Sequence, residues 1–293
     1  MERKKLLLTA FISCLFVIVL PTTSYADMGP KDELTVYVEN PPNQVYYLDL
    51  LTQKSSSYNN FHKDGEREAL DEKMVELLYS YENEGWMPAL VEGTGVPMWG
   101  NLIGEADSER MVHKFGYVGV PDTYRIILVT QSGNVSVSDV YTREALQSSV
   151  TFDYATGKAV VPSIFLIYFL QFGWTFVITL LIEGVILCLF GFKLKGNWKV
   201  FFLTNLLTQI VLTVTVGATL IKSGTFSAHL VQFPVETAIL VFEVLVYKHF
   251  LVGNSNKRKV VYGIVANLVS WFGGFFLLNY LFQFLVKVVY QVV

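Results

Sequence analysis

Past Pro162 the chain carries four apolar runs, at roughly 163–190, 200–221, 232–251 and 261–285. A helix needs about 20 apolar residues to cross a bilayer, and each run reaches that length. Inside lipid every backbone N–H and C=O must be satisfied within the segment, so the runs are predicted as four transmembrane helices. They make residues 159–293 a membrane α-helical bundle. The loops between them are short and lopsided in charge. "KLKGNWK" holds Lys193, Lys195 and Lys199, and "KHFLVGNSNKRK" holds Lys248, Lys257, Arg258 and Lys259. The other side holds only Lys158, Lys222 and Lys287. Basic loops stay in the cytoplasm. That rule puts loops 192–199 and 252–260 inside the cell, and residues 27–158 and the C-terminus outside.

The N-terminus agrees with that orientation. "MERKKLLLTAFISCLFVIVLPTTSYAD" has a basic start, an apolar run and small residues, Ser24 and Ala26, at the −3 and −1 positions of a cleavage site. Residues 1–26 are therefore expected to be a secretory signal, with Asp27 first in the mature chain. The alternative is an uncleaved anchor helix, and both leave the next segment outside. Cys14 leaves with the signal and Cys188 lies in an apolar run, so no disulfide forms within the mature chain. The exported part must stand on its own core.

Residues 27–158 are predicted as one small extracytoplasmic α+β domain. "LTVYVEN" and "VYYLDLL" are β-rich runs separated by a Pro-Pro-Asn turn signal. Over 65–81 the period becomes helical, with Leu70, Met74, Leu77, Leu78 and Tyr81 on one face. "YRIILVT" and "VSVSDVY" flank "QSGN" as a hairpin, and "SVTFDY" adds a last strand. One face of the sheet would pack on the helix. The domain is acidic, with 21 Asp and Glu against 10 Lys and Arg. Residues 159–293 reverse this, with three Glu against nine Lys and Arg. The acidic stretch "EREALDEKMVELLYSYENE" reads first as a solvated helix face. Trp86 and Trp99 suit either a ligand groove or a core.

The three membrane glutamates raise the functional question. Pro234 suits the first position of a helix, which would put Glu236 in the first turn, near the outer headgroups. Glu183 and Glu243 lie deeper, with no Lys or Arg at matching depth. A charged carboxylate there costs about 2.5–3.5 kcal/mol on insertion scales, so each stays protonated or holds a cation. Gln171, Thr175, Thr179 and Glu183 fall at four-residue steps, as do Asn205, Gln209 and Thr213. Glu243 shares a face with Tyr247, and Asn267 and Ser270 lie on the last span. If they face inward, Glu183, Asn205, Gln209, Glu243, Tyr247, Asn267 and Ser270 form one intramembrane polar cluster. Singly, such residues serve as interhelical glue. Ala266, Ser270 and Gly274, beside Gly263 and Gly273, make a small-residue stripe suited to close packing.

Catalytic signatures are missing: the chain has no HExxH, no GxSxG, no P-loop and no GxGxxG opening a helix. His62, His113, His229 and His249 are scattered without metal-ligand spacing, and a metal site stays open. No cofactor is implied and no nucleic-acid partner is expected.

Several stretches carry a resemblance: "ADMGPK" at 26–31, "YYLDLL" at 46–51, "LLIEGVILCLFGFK" at 180–193, "NLLTQI" at 205–210, "FEVLVY" at 242–247 and "VANLVS" at 265–270. Together they resemble a family of multi-pass membrane proteins from Gram-positive bacteria with no established activity. In that family a proline often follows "ADMGPK", where this chain has Asp32. The resemblance implies an architecture and a bacterial origin, and nothing about chemistry.

Three functions fit these features. In the first, the exported domain binds or senses an envelope ligand or partner, and the bundle passes this to a membrane protein partner or to further copies of the chain. In the second, the bundle is a small ion- or proton-coupled transporter or channel using Glu183 and Glu243. In the third, it is an intramembrane enzyme. The cytoplasmic loops are too short to form a signalling domain of their own.

Overall fold

The computed structural model describes residues 30–53, 57–61 and 70–291, with backbone alone for 279 and 286–291. The expected signal at 1–26 and the start of the helix expected over 65–81 lie outside these residues. From Lys31 onward the chain forms one unit.

In chain order the strands are β1 (Glu33–Glu39), β2 (Tyr46–Thr52), β3 (Met87–Pro88), β4 (Trp99–Gly100), β5 (Glu105–Asp107) and β6 (Arg110–Gly116), then β7 (Thr123–Thr130), β8 (Val135–Val137), β9 (Tyr141–Thr142), β10 (Gln147–Asp153) and β11 (Lys158–Val160). Among the described residues they form two sheets, not the single sheet expected. The first runs β11-β10-β1-β6-β4, with β5 also on β6; the second runs β3-β2-β7-β8, with β9 also on β7. β1 and β2 fall in different sheets. Pro41 and Pro42 have no N–H to continue a ladder, and the chain leaves β1 through Asn40, whose φ is 48°. Asn40 Nδ2 is tied to Asp153 Oδ1 at 3.0 Å. β1 pairs in parallel with β10, Glu33 opposite Gln147 through Glu39 opposite Asp153. The expected β7–β8 hairpin is present, turning through Gly133 at φ 89°.

β2 is buried along its whole length because the second sheet is covered on both sides. On one side Tyr46 OH lies 3.2 Å from His113 Nε2 of β6, which joins the two sheets. On the other, Tyr47 OH accepts a 2.7 Å bond from Asp71 N, at the start of helix α1 (Glu72–Tyr79). Asp71 caps that helix by accepting from Lys73 N and Met74 N, and the helix buries Met74, Val75 and Leu78. The domain is therefore β-rich, with a single short described helix.

Beyond β11 come α2 (Ile164–Leu189), α3 (Leu194–Leu212), a π turn (Thr213–Gly217), α4 (Ala218–Phe250) and α5 (Asn256–Gln291). Three stretches are long and apolar enough to cross a membrane: Ile164–Leu189, Leu194–Phe250 and Asn256–Leu278. The middle one is 57 residues long. Straight, at about 1.5 Å per residue, it would far exceed a bilayer. It is not straight. Gly224 has φ 77° and ψ −178°, a conformation open essentially to glycine alone, and the helix reverses there. The two limbs then run back along each other. Asn205 Nδ2 meets Tyr247 OH at 3.0 Å, and Asn197 Oδ1 accepts from Val252 N at 2.7 Å. The polar segment around 222–231, expected as an outer loop, is helical apart from this reversal.

Pro234 also departs from expectation. It sits inside α4 rather than opening a helix, so Glu236 is not in a first turn. Membrane helices tolerate such a proline because their neighbours satisfy the freed carbonyl. Gly263 lets α5 close on α4: a Cβ there would lie 3.2 Å from Val244 Cα. The β-rich part meets the bundle beside the reversal, where Leu146 N donates to Ile221 O at 2.9 Å.

Candidate functional site

The bundle core is polar in its middle. Glu183 of α2 and Glu243 of α4 are each 1% exposed, and Glu236 is 9% exposed. Glu243 is held by two helices: Thr208 Oγ1 donates to its Oε1 at 2.7 Å, and Asn267 Nδ2 to its Oε2 at 2.8 Å. Ser270 Oγ donates to Glu183 Oε1 at 2.9 Å, while Glu183 Oε2 is buried without a partner. Gln209 Nε2 reaches Thr175 Oγ1 at 2.7 Å. These positions share a face because four-residue steps stack side chains on one side of a helix.

A cavity of about 290 Å³ lies between these helices. Glu183, Gln209, Glu243, Asn267 and Ser270 of the expected cluster line it. The other two expected members do not line it but touch the same carboxyls, Asn205 that of Glu183 and Tyr247 that of Glu243. Asn205 bonds Phe201 O and Tyr247 OH, and Tyr247 packs on Tyr262 with ring centroids 5.1 Å apart.

Glu236 is the residue that sequence reasoning placed wrongly. It lines the cavity with Glu183 and Glu243, beside Gln232, whose Nε2 lies 3.5 Å from its Oε1. The Gln232–Glu236 spacing of four was legible, but reading Pro234 as a helix start put the two on different elements. Thr208 was also missed, since a lone Thr in an apolar run usually bonds its own helix. Gln171 belongs to the four-residue stripe of α2, and its setting depends on the π turn. Gly217 has no side chain there; a Cβ would come within reach of clashing with the Gln171 amide. Single π turns recur at functional sites.

Among the described residues, none of those lining the cavity is Lys, Arg or His. Nor does any group of three or more His, Cys, Asp or Glu side chains lie close enough to share a metal ion. The lining offers acceptors: Gln171 Oε1, Glu183 Oε2 and Gln232 Oε1 are all buried without a partner.

The β-rich part holds its own buried polar groups, and they are structural. Asp49 is fully buried and accepts from Leu50 N, Leu90 N and Val91 N, which fastens the 88–92 turn to β2. Burial pushes its carboxyl up to about 7, against those three N–H groups. Burial likewise pushes His113 down to about 4. The Arg143 side chain is buried and bonds Asp32, Asp122 and the carbonyls of Ala145 and Leu146. Trp86 is core, whereas Trp99 is 65% exposed and stacks on Tyr117.

No protein-family model, no curated protein and no solved structure matches this chain.

Proposed function

We propose that this chain is a multi-pass membrane protein that takes up a proton or a small cation at an acidic site inside its bundle. The observation that carries this reading is the shared cavity, lined by Glu183, Glu236 and Glu243 and by no basic side chain among the described residues. A carboxylate in hydrocarbon without a basic partner is costly unless a proton or cation neutralises it. Three of them in one cavity multiply that demand.

Four crossings follow from the reversal at Gly224, which divides the 57-residue stretch into two antiparallel limbs. The Asn197–Val252 bond supports placing loops 192–199 and 252–260 at one end of the bundle. Seven basic residues gather at that end, which makes it the cytoplasmic one. The β-rich part, held near Gly224, is then outside the cell, in keeping with an export signal at 1–26. The resemblance to Gram-positive membrane proteins would make this a bacterial cell membrane.

The hydrogen bonds suit a carboxyl that gains and loses a proton. The Thr208 hydroxyl has one hydrogen and three oxygens in reach: Glu243 Oε1 at 2.7 Å, Thr204 O at 3.1 Å and Asn205 O at 3.2 Å. It donates to Glu243 when the carboxylate is ionised. When Oε1 carries the proton, Oε1–H donates to Thr208 Oγ1, and the Thr208 hydrogen turns to Thr204 O. Asn267 keeps its bond to Oε2 in both states. Glu183, with Oε2 free of partners, is the oxygen that meets an incoming charge.

A second reading has its own support. The Leu146–Ile221 bond ties the β-rich part to the helix three residues before the Gly224 reversal. Binding of an envelope ligand or partner by that part would then act on the bundle through this contact.

The test is cation and proton flux in proteoliposomes, comparing the natural chain with the double variant Glu183→Gln, Glu243→Gln. Flux that vanishes in the double variant is expected. Flux that survives it, or no flux at all from a correctly folded natural chain, overturns the reading.

A further inference from the structure

The shape and lining of the bundle cavity narrow what it takes, and this step rests on the function proposed above. The cavity is not sealed at its wall. Trp174 of α2 and Tyr280 and Phe284 of α5 line it, yet they are 55%, 73% and 46% exposed on the outside of the bundle. Trp174 and Phe284 stack across the gap between the two helices, with ring centroids 5.9 Å apart. In a bilayer that exterior faces acyl chains. The opening therefore leads sideways into lipid and is framed by aromatic rings, whose faces attract cations.

The inner end has the opposite character. Its unsatisfied buried atoms are acceptor oxygens, Glu183 Oε2 and Gln232 Oε1, on residues no more than 4% exposed. Such a lining wants a positive charge that also donates N–H bonds. A transition-metal ion is a poor match, since no three His, Cys, Asp or Glu side chains among the described residues converge on one point. The volume, about 290 Å³, also exceeds what one ion needs. An apolar cavity of about 150 Å³ already holds benzene. A charged head with several methylenes behind it fits both ends.

We propose that the cavity binds a lipophilic primary amine in its ammonium form, admitted from the bilayer between α2 and α5. The ammonium sits among Glu183, Glu236 and the Gln232 carbonyl. The alkyl part lies toward Trp174 and Phe284.

The test uses the full chain in detergent. Octylammonium, tetrapropylammonium and octanol are each titrated at neutral pH, and Trp fluorescence and thermal unfolding are followed. Octylammonium is expected to saturate and raise the unfolding temperature. The quaternary ion, with no N–H, and the alcohol, with no charge, are expected to bind at least tenfold more weakly. Glu183→Gln with Glu236→Gln is expected to cost at least tenfold in octylammonium affinity. Gln232→Leu, which keeps both carboxylates, is expected to cost severalfold and guards against a folding defect in the first variant. Equal binding of octanol, or octylammonium binding untouched by these substitutions, overturns the inference. If octylammonium fails to bind while proton or alkali-cation flux still depends on Glu183 and Glu243, this inference alone falls. If flux is absent as well, the underlying function falls with it.

Discussion

Ser270 of α5 donates a 2.9 Å hydrogen bond to Glu183 Oε1 of α2, and Glu183 Oε2 is left buried without a partner. The bond joins the first and last helices of the bundle at the cavity wall. Ser270→Ala takes the hydroxyl partner from Glu183 Oε1, and an unmet buried acceptor costs about 1–3 kcal/mol. The expected outcome is a loss of that size in denaturant unfolding of the detergent-solubilised chain. In a Glu183→Leu background the same substitution is expected to cost a few tenths, because its partner is already gone. Equal losses in the two backgrounds would mean the bond contributes nothing.

Gly217 and Gln171 form a second pair. A Cβ at Gly217 meets the Gln171 side-chain amide well inside van der Waals contact. Gly217→Ala is expected to lower the unfolding temperature, although alanine normally favours a helix over glycine by about 1 kcal/mol. Gly217→Ala combined with Gln171→Ala is expected to recover the loss. Failure of the second substitution to rescue the first would place the strain elsewhere.

The reversal at Gly224 depends on its positive φ of 77°. Gly224→Ala is expected to destabilise the bundle by about 1–3 kcal/mol. Gly196 of α3 serves as the control, since a Cβ there meets nothing within 4 Å. Gly196→Ala is expected to be neutral or slightly stabilising. A neutral Gly224→Ala would imply that the stretch does not reverse at that residue.

The β-rich part carries two buried groups whose pH effects oppose each other. Asp49 is pushed from 3.8 up to about 7, so the folded form holds more protons than the unfolded one, and stability falls as pH rises from about 4 to 7. His113 is pushed from 6.5 down to about 4, so the folded form holds fewer protons, and stability rises as pH rises from about 4 to 6.5. Each slope is at most about 1.4 kcal/mol per pH unit. Together they leave the natural chain nearly flat between pH 4.5 and 6.5, by about that reckoning. Asp49→Asn is expected to expose the rising slope and His113→Gln the falling one. The readout is denaturant unfolding followed by fluorescence of the buried Trp86. Slopes of the same sign in both variants would contradict the assignment.

Much of this is legible in the sequence. Length and apolarity alone located the bundle, because lipid admits few alternatives. The four-residue steps that placed Glu183, Gln209 and Glu243 on inward faces come from helix geometry. Three features were not legible. Gly224 lies in a small polar segment that reads as a loop, and only its φ shows a tight reversal inside helix. Pro234 obeys the statistics of helix starts yet sits mid-helix, which hid Glu236. The parallel β1–β10 pair joins residues more than 100 positions apart, and nothing local in either strand announces it. Asp49, by contrast, stood out as the one charge in "VYYLDLL" and proved to be a backbone clasp.

The central claim is that Glu183, Glu236 and Glu243 share one cavity that opens to lipid and holds an exchangeable proton or cation. Dicyclohexylcarbodiimide tests it most directly, because this apolar reagent reaches carboxyl groups from the bilayer and adds to those that carry a proton. The natural chain would be treated in liposomes and its modified residues mapped by mass spectrometry. The expected result is modification concentrated on these three glutamates and slowed by octylammonium. Recovery of all three unmodified, from protein that is folded and membrane-inserted, would contradict the claim and make the polar core a packing device.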